Sequence, residues 1–226
     1  MNLNESADHE LGTGIYSIPD VAFILGLPKA KVRRWMKEFW DGRLSLEHKQ
    51  KYSWGEGRDK FTHFHTLIEF YVFYQLRTLN ISKKKIFIAH KAIASQLQTI
   101  YPFASSKVLS DGKGILYTLR DGTIVNADSS KQAVFKEIIQ AFYKKIEFSK
   151  TQIAYCFYPM GKNSRIVVDP HHQFGQPTIE NTNILAETIY DFYTAGESIL
   201  FLSRLYKLSI KEVEDAIAFF VTKTAA

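Results

Sequence analysis

Residues 16–40, YSIPDVAFILGLPKAKVRRWMKEFW, carry the pattern on which the fold turns. Ser17 and Asp20 stand three apart, so the hydroxyl can accept from a free helix N–H while the carboxylate sits at the positive end of the helix. A first helix is therefore expected from Ile18, with Ile18, Val21, Ala22 and Leu25 at helical spacing. Gly26 supplies a break, and Leu27-Pro28 a preorganised start for a second helix. That second helix has two unlike faces. Val32, Trp35, Met36 and Phe39 repeat at i, i+3, i+4 and i+7 and should be buried, whereas Ala30, Arg33, Arg34 and Lys37, with Lys29 at the start, lie opposite.

A helix with that outer face fits the major groove of B-form DNA. Arg pairs bidentately with guanine O6 and N7, a small side chain such as Ala permits close approach, and Lys neutralises phosphate. A solvated basic face on an ordinary amphipathic helix is the plainer alternative.

The chain has 226 residues, 46% of them apolar, which is enough for a sizeable core and suits two compact units better than one. Its single cysteine, Cys156, excludes an internal disulfide or a multi-cysteine zinc site and reads as a buried thiol. No apolar run is long enough to span a bilayer, and the polar start MNLNESADHE lacks the regions of a signal peptide, so a cytoplasmic location is expected. The net charge of +6 is unevenly placed. Residues 28–60 hold 10 basic against 5 acidic side chains and 61–162 hold 14 against 6, whereas 163–226 hold 5 against 8. A polyanion would be drawn to the first two-thirds of the chain and not to the last.

After the helix pair comes Asp41-Gly42 and a polar stretch, then KYSWGEGRDKFTHF. Gly55 and Gly57 bracket a turn between Tyr52-Trp54 and Phe61, which reads as a wing whose basic tip, Arg58 and Lys60, could reach phosphates or the minor groove. Residues 64–79, FHTLIEFYVFYQLRTL, are apolar on nearly every side and should form a buried helix closed by Asn80. Ser82 can cap the next helix, which carries Ile86, Ala89, Ile93 and Leu97, with Lys83-Lys84-Lys85 at its start. This order of capped helix, basic helix, Gly-containing wing and helix ending in Leu-Arg-Thr-Leu-Asn-Ile-Ser resembles the DNA-binding domain of the MerR family over residues 15–98. Arg33 matches the arginine of that family's recognition helix, and Arg34 and Trp35 stand where it usually has two tyrosines.

Residues 103–128 alternate with a period of two around Asp111-Gly112 and Asp121-Gly122, which predicts a small antiparallel sheet. A helix is expected over 132–146 and a strand over 151–158. Beyond Pro159 and Gly161, a short strand at Ile166–Val168 leads to Asp169-Pro170 and three helices. The first spans Ala186 to Thr194, the second starts at Glu197-Ser198, and the third is capped by Ser209. Asp169-Pro170, Phe174-Gly175-Gln176-Pro177-Thr178-Ile179, Ala195-Gly196-Glu197-Ser198 and Leu208-Ser209 resemble the prokaryotic family catalogued as domain of unknown function 433. The resemblance implies a homeodomain-like helix trio. Members of that family with an added N-terminal DNA-binding domain look like VapB-type antitoxins, whose toxins are PIN-like ribonucleases. On the third helix Lys211 is outnumbered by Glu212, Glu214 and Asp215, so this trio should contact protein rather than DNA. Tyr190, Phe192, Tyr193, Phe201 and Tyr206 exceed what so small a trio need bury. Tyr190, Tyr193, Phe201 and Tyr206 are therefore candidates for partner binding, with packing against the middle region as the alternative.

Asp169, His171 and His172 invite a metal reading, but adjacent histidines on a turn should diverge, so no metal site is expected, and neither a nucleophile elbow nor a phosphate-cradling Gly loop is present. The sequence thus predicts a mostly α (α+β) fold in three parts. These are a winged helix-turn-helix at 1–98, a central β-hairpin and helix region at 99–162, and a homeodomain-like module at 163–226. The function expected is a non-enzymatic, cofactor-free antitoxin that binds operator DNA as a homodimer and neutralises a PIN-like ribonuclease toxin. The alternative is a stand-alone regulator that senses a ligand through its central region.

Overall fold

The computed structural model describes residues 13–57, 59–106 and 140–224. It is mostly helical, with short antiparallel strands. Strand β1 (Tyr16–Ser17) runs directly into α1 (Ile18–Leu25), and the expected reciprocal cap is formed: the Asp20 N–H donates to Ser17 Oγ at 3.2 Å and the Ser17 N–H to Asp20 Oδ2 at 2.8 Å. Gly26 closes α1 with a left-handed φ of +64°, which favours glycine. α2 (Lys29–Trp35) follows, and its helical path does not stop at Asp41-Gly42. It widens into a nine-residue π-helical segment, Met36–Leu44, and passes into α3 (Ser45–His48). The widening brings Trp40 and Leu44 into the core, both 1% exposed, and at Gly42 a Cβ would stand 2.8 Å from the Lys37 carbonyl oxygen. The Asp-Gly pair, which the sequence set after the helix pair, thus lies inside a continuous helical path with more residues per turn.

The wing is β2 (Ser53–Trp54) and β3 (Phe61–Thr62), and β1 joins it to make a three-stranded antiparallel sheet in the order β1-β3-β2. Thr62 faces Tyr16 on one side and Ser53 on the other. α4 (Phe64–Thr78) is buried on most sides, ends with Asn80 in the left-handed region, and gives way to α5 (Lys83–Leu97), capped by Ser82. Among the aromatic contacts of α4, Trp40 stacks on Phe70 with centroids 3.9 Å apart, and Trp35 meets Phe73 edge-on at 4.8 Å.

The hairpins expected around Asp111-Gly112 and Asp121-Gly122 lie outside the described residues, as does most of the helix expected over 132–146. Its end is shorter than the spacing suggested. Residues 140–143 are helical, the chain then turns, and Ile146 opens strand β4 (Ile146–Phe148), paired with β5 (Ala154–Phe157). Tyr143 and Ile146 are both buried, and their places in the core require that change of path. Together with Phe103, Ala104, Ala154 and Phe157 they share one core with the N-terminal helices.

A second core belongs to the C-terminal part. β6 (Ile166–Val167) pairs with β7 (Thr178–Ile179), and α6 (Ala186–Thr194), α7 (Ile199–Tyr206) and α8 (Ile210–Thr224) pack around Ile189, Leu202, Val213 and Phe219. Ser198 caps α7, and Ser209 with Glu212 forms a reciprocal cap on α8. No helix of the described residues is long and apolar enough to cross a membrane.

Candidate nucleic-acid interface

The outer face of α2 is held from behind by aromatic packing. Val32 and Trp35 are buried, and Trp35 sits among Phe70, Phe73 and Tyr74 of α4. Lys29, Ala30, Arg33, Arg34 and Lys37 are all exposed, so the five residues singled out from spacing share one solvent-facing surface. Lys31 points elsewhere. Its ammonium lies 5.6 Å from the ring centroids of both Trp35 and Tyr74, which fixes the helix against α4. Lys83, at the start of α5, likewise sits 5.1 Å from the Phe39 ring, and Arg43 5.3 Å from the Phe87 ring. Positive charge is unfavourable at a helix N-terminus, and the Phe39 ring offsets part of that cost for Lys83.

The wing differs from its sequence reading at Lys60. That side chain is half-buried, and its Nζ lies 2.5 Å from Asp41 Oδ2, while the Ser53 hydroxyl donates to Asp41 Oδ1 at 2.6 Å. Lys60 therefore ties the base of the wing to the π-helical segment and does not reach outward. Arg58 lies outside the described residues. Gly55 has φ +73°, and a Cβ there would stand 2.0 Å from the Asp59 carbonyl oxygen, so the wing turn requires glycine at that position.

A carboxylate absent from the sequence reading holds the helices together. Glu69 on α4 is fully buried; its Oε1 accepts from the Phe103 N–H at 2.8 Å and its Oε2 lies 2.9 Å from His90 Nε2 on α5. The available signal was a lone acid inside an otherwise apolar, aromatic helix.

The two cores meet at β1 and α1. Phe23 packs on Phe219 and Phe220 with centroids 5.4 and 4.9 Å away, and the Ile15 N–H donates to the Phe174 carbonyl at 2.9 Å. Gly175, at φ +87°, lies so close to the Tyr16 ring that a Cβ would overlap the hydroxyl. Tyr16 is fully buried, its hydroxyl has no hydrogen-bond partner among the described residues, and its pKa is pushed well above the usual value, first by burial and then by the charge of Asp169. Lys223, at the end of α8, would meet a Cβ on Gly26 at 3.4 Å; burial, aided by the charge of Lys145, brings its pKa down to about 8. A groove of about 230 Å³ lies at this junction, lined by Asp20, Phe23 and Lys29 on one side and Gln176, Pro177 and Glu187 on the other.

The Asp169 turn departs from expectation in the direction of its two histidine rings. His171 Nδ1 lies 3.0 Å and His172 Nε2 3.9 Å from the Asp169 carboxylate, so the two rings converge on one acid rather than diverge. No group of three or more metal-binding side chains able to hold an ion occurs among the described residues. Cys156 is buried, with its thiol pKa pushed up to about 12 by burial and then by Asp169.

The four candidate partner residues divide. Tyr190 stacks on Phe220 at 4.8 Å and 14°, which places it against the C-terminal core, and Tyr206 is half-buried. Tyr193 and Phe201 remain exposed.

Residues 166–220 match the family described as "Protein of unknown function (DUF433)". The crystal structure of Rv2018 from Mycobacterium tuberculosis has a similar fold, with a TM-score of 0.70 over 89% of this chain and 96% of that one, at 16% sequence identity. No curated protein matches the sequence.

Proposed function

We propose that the protein is a sequence-specific DNA-binding antitoxin of the VapB type, reading its operator with α2 and holding a PIN-like ribonuclease toxin through its C-terminal module. The single observation behind the DNA assignment is the surface of α2. Lys29, Ala30, Arg33, Arg34 and Lys37 stand free on a helix that Trp35 and Trp40 lock to its scaffold, beside a three-stranded wing sheet. Arg33 and Arg34 would read base edges, while Lys29 and Lys37 would position the helix on phosphates. The antitoxin half of the reading rests on the resemblance of residues 163–226 to the C-terminal part of such proteins. It gains support from a module that is acidic overall, as suits a partner with a basic nucleic-acid groove.

The deciding experiment titrates the full chain against DNA from upstream of its own gene and against scrambled DNA, over a series of salt concentrations. Tighter binding to the upstream DNA, with a steep salt slope, is expected. Equal affinity for both sequences overturns the operator assignment. Co-expression with a small neighbouring gene product, scored by rescue of growth and by a one-to-one complex, tests the antitoxin half separately. The junction groove, about 230 Å³ and lined in part by Lys29, favours a ligand-sensing regulator as the second reading. A ligand in that groove would sit between the two helical units, whereas the sequence pointed to the central region.

A further inference from the structure

We propose that the outward face of α6 and α7 docks a second copy of this chain, with the two α7 helices antiparallel across a two-fold axis near Phe201. The assignment deepens the operator reading, which calls for a two-fold protein, but it stands on a different surface.

Helix α7, ILFLSRLY, is apolar at six of its eight positions, yet Leu202 alone is buried. Leu200, Phe201 and Leu205 are 53, 46 and 52% exposed, and Phe192 and Tyr193 at the end of α6 are each 41% exposed. Large apolar side chains gathered on the outward face of a helix mark a surface that a partner covers. With roughly 150–250 Å² on a large side chain, these five residues leave on the order of 450 Å² of apolar surface in water. That apolar centre is about half of the roughly 800 Å² per partner of a standard interface.

The occupant is indicated by the charges. Glu197 precedes α7 and Arg204 lies near its end; both are exposed, and neither forms an ion pair among the described residues. A stripe that is acidic at one end, apolar in the middle and basic at the other complements itself when one copy is turned through 180°. An antiparallel crossing centred on Phe201 sets Arg204 of each copy beside Glu197 of the other, whereas a parallel crossing would set like charges together. The opposed helix dipoles favour the same arrangement. None of these residues belongs to α2, so the dimer leaves Arg33 and Arg34 free.

The test is sedimentation equilibrium of the full chain without DNA, from about 1 to 100 μM and at about 0.15 M salt. The wild-type chain is expected to be a dimer, and Phe201→Glu should raise its dissociation constant at least ~30-fold. Arg204→Glu and Glu197→Arg should each weaken association, and the double swap should restore it to within about threefold of wild type. A wild-type monomer throughout the range, a Phe201→Glu dimer as tight as wild type, or a double swap no better than the single variants overturns the proposal. A patch covered only by a different protein overturns it as well. Circular dichroism checks folding; should Phe201→Glu fail that check, the charge swap, confined to exposed residues, decides the matter alone. Operator binding by Arg33→Ala/Arg34→Ala is scored separately, so loss of the DNA reading leaves the dimer result intact.

Discussion

Two helix pairs in this protein use the same reciprocal cap and face the solvent in opposite ways. α1–α2 opens with a Ser17/Asp20 reciprocal cap, and α8, which follows α7, opens with the same device built from Ser209 and Glu212. Behind α2, Trp35 meets three aromatic side chains of α4, whereas α7 buries one leucine and leaves three apolar side chains in water. In front, α2 and the start of the π-helical segment present two arginines and two lysines, while α8 opens with Lys211, Glu212, Glu214 and Asp215, and Lys211 is engaged by Asp215 at 3.1 Å. The difference shows that a capped helix pair is a neutral scaffold. Outward charge separates a surface suited to a polyanion from one suited to protein, and the depth of packing behind it determines how rigidly that surface is held.

The comparison breaks most directly at Trp40. Trp40→Ala removes the ring stacked on Phe70 and opens a cavity under the π-helical segment, so urea denaturation should show a loss of about 3–5 kcal/mol. A loss under about 1 kcal/mol would mean that the aromatic scaffold is not what holds α2. Arg33→Ala/Arg34→Ala should leave the unfolding midpoint unchanged, cost at least ~1 kcal/mol of specific DNA binding and flatten the salt slope. Unaltered operator affinity would remove α2 from the reading surface.

A smaller effect is expected where the two units touch. The Lys223 pKa lies below the ordinary lysine value, so the folded chain disfavours its charged form. The cost is present in full below about pH 8 and is relieved as pH rises from there toward the unfolded value near 10.5. Lys223→Met should therefore stabilise the protein at pH 7 by on the order of 1 kcal/mol, an advantage that fades above pH 8. An advantage that does not change with pH would show that packing alone, not burial of charge, accounts for it. The smallest effect sharpens the contrast from the other side. Glu214→Lys on α8 should change operator affinity by less than about threefold, as fluorescence anisotropy would record; a large gain or loss would place α8 against DNA.

Caps and helix faces were legible because they are set by neighbours in the chain. Ser17, Asp20, Gly26, Asn80, Ser82, Ser198 and Ser209 all stand where short-range hydrogen bonding or a left-handed backbone requires them. Three features of the site and its surroundings were not legible. The π-helical path through Asp41-Gly42 depends on Trp40 finding Phe70, thirty residues later. Lys60 looked like a wing-tip cation because its partner, Asp41, is nineteen residues away. Tyr190 looked spare because Phe220, which it stacks on, comes from another helix.

The sequence by itself determined the mostly helical class, the start of each capped helix and the basic outer face of α2, since these follow from spacings of three and four residues. Tertiary structure alone decided that β1 completes the wing sheet, that Glu69 binds α4 to α5 and the Phe103 turn, and that Gly175 seats the C-terminal module against Tyr16. Those contacts join groups far apart along the chain, and their free energy comes from desolvation and close packing, which no local pattern records.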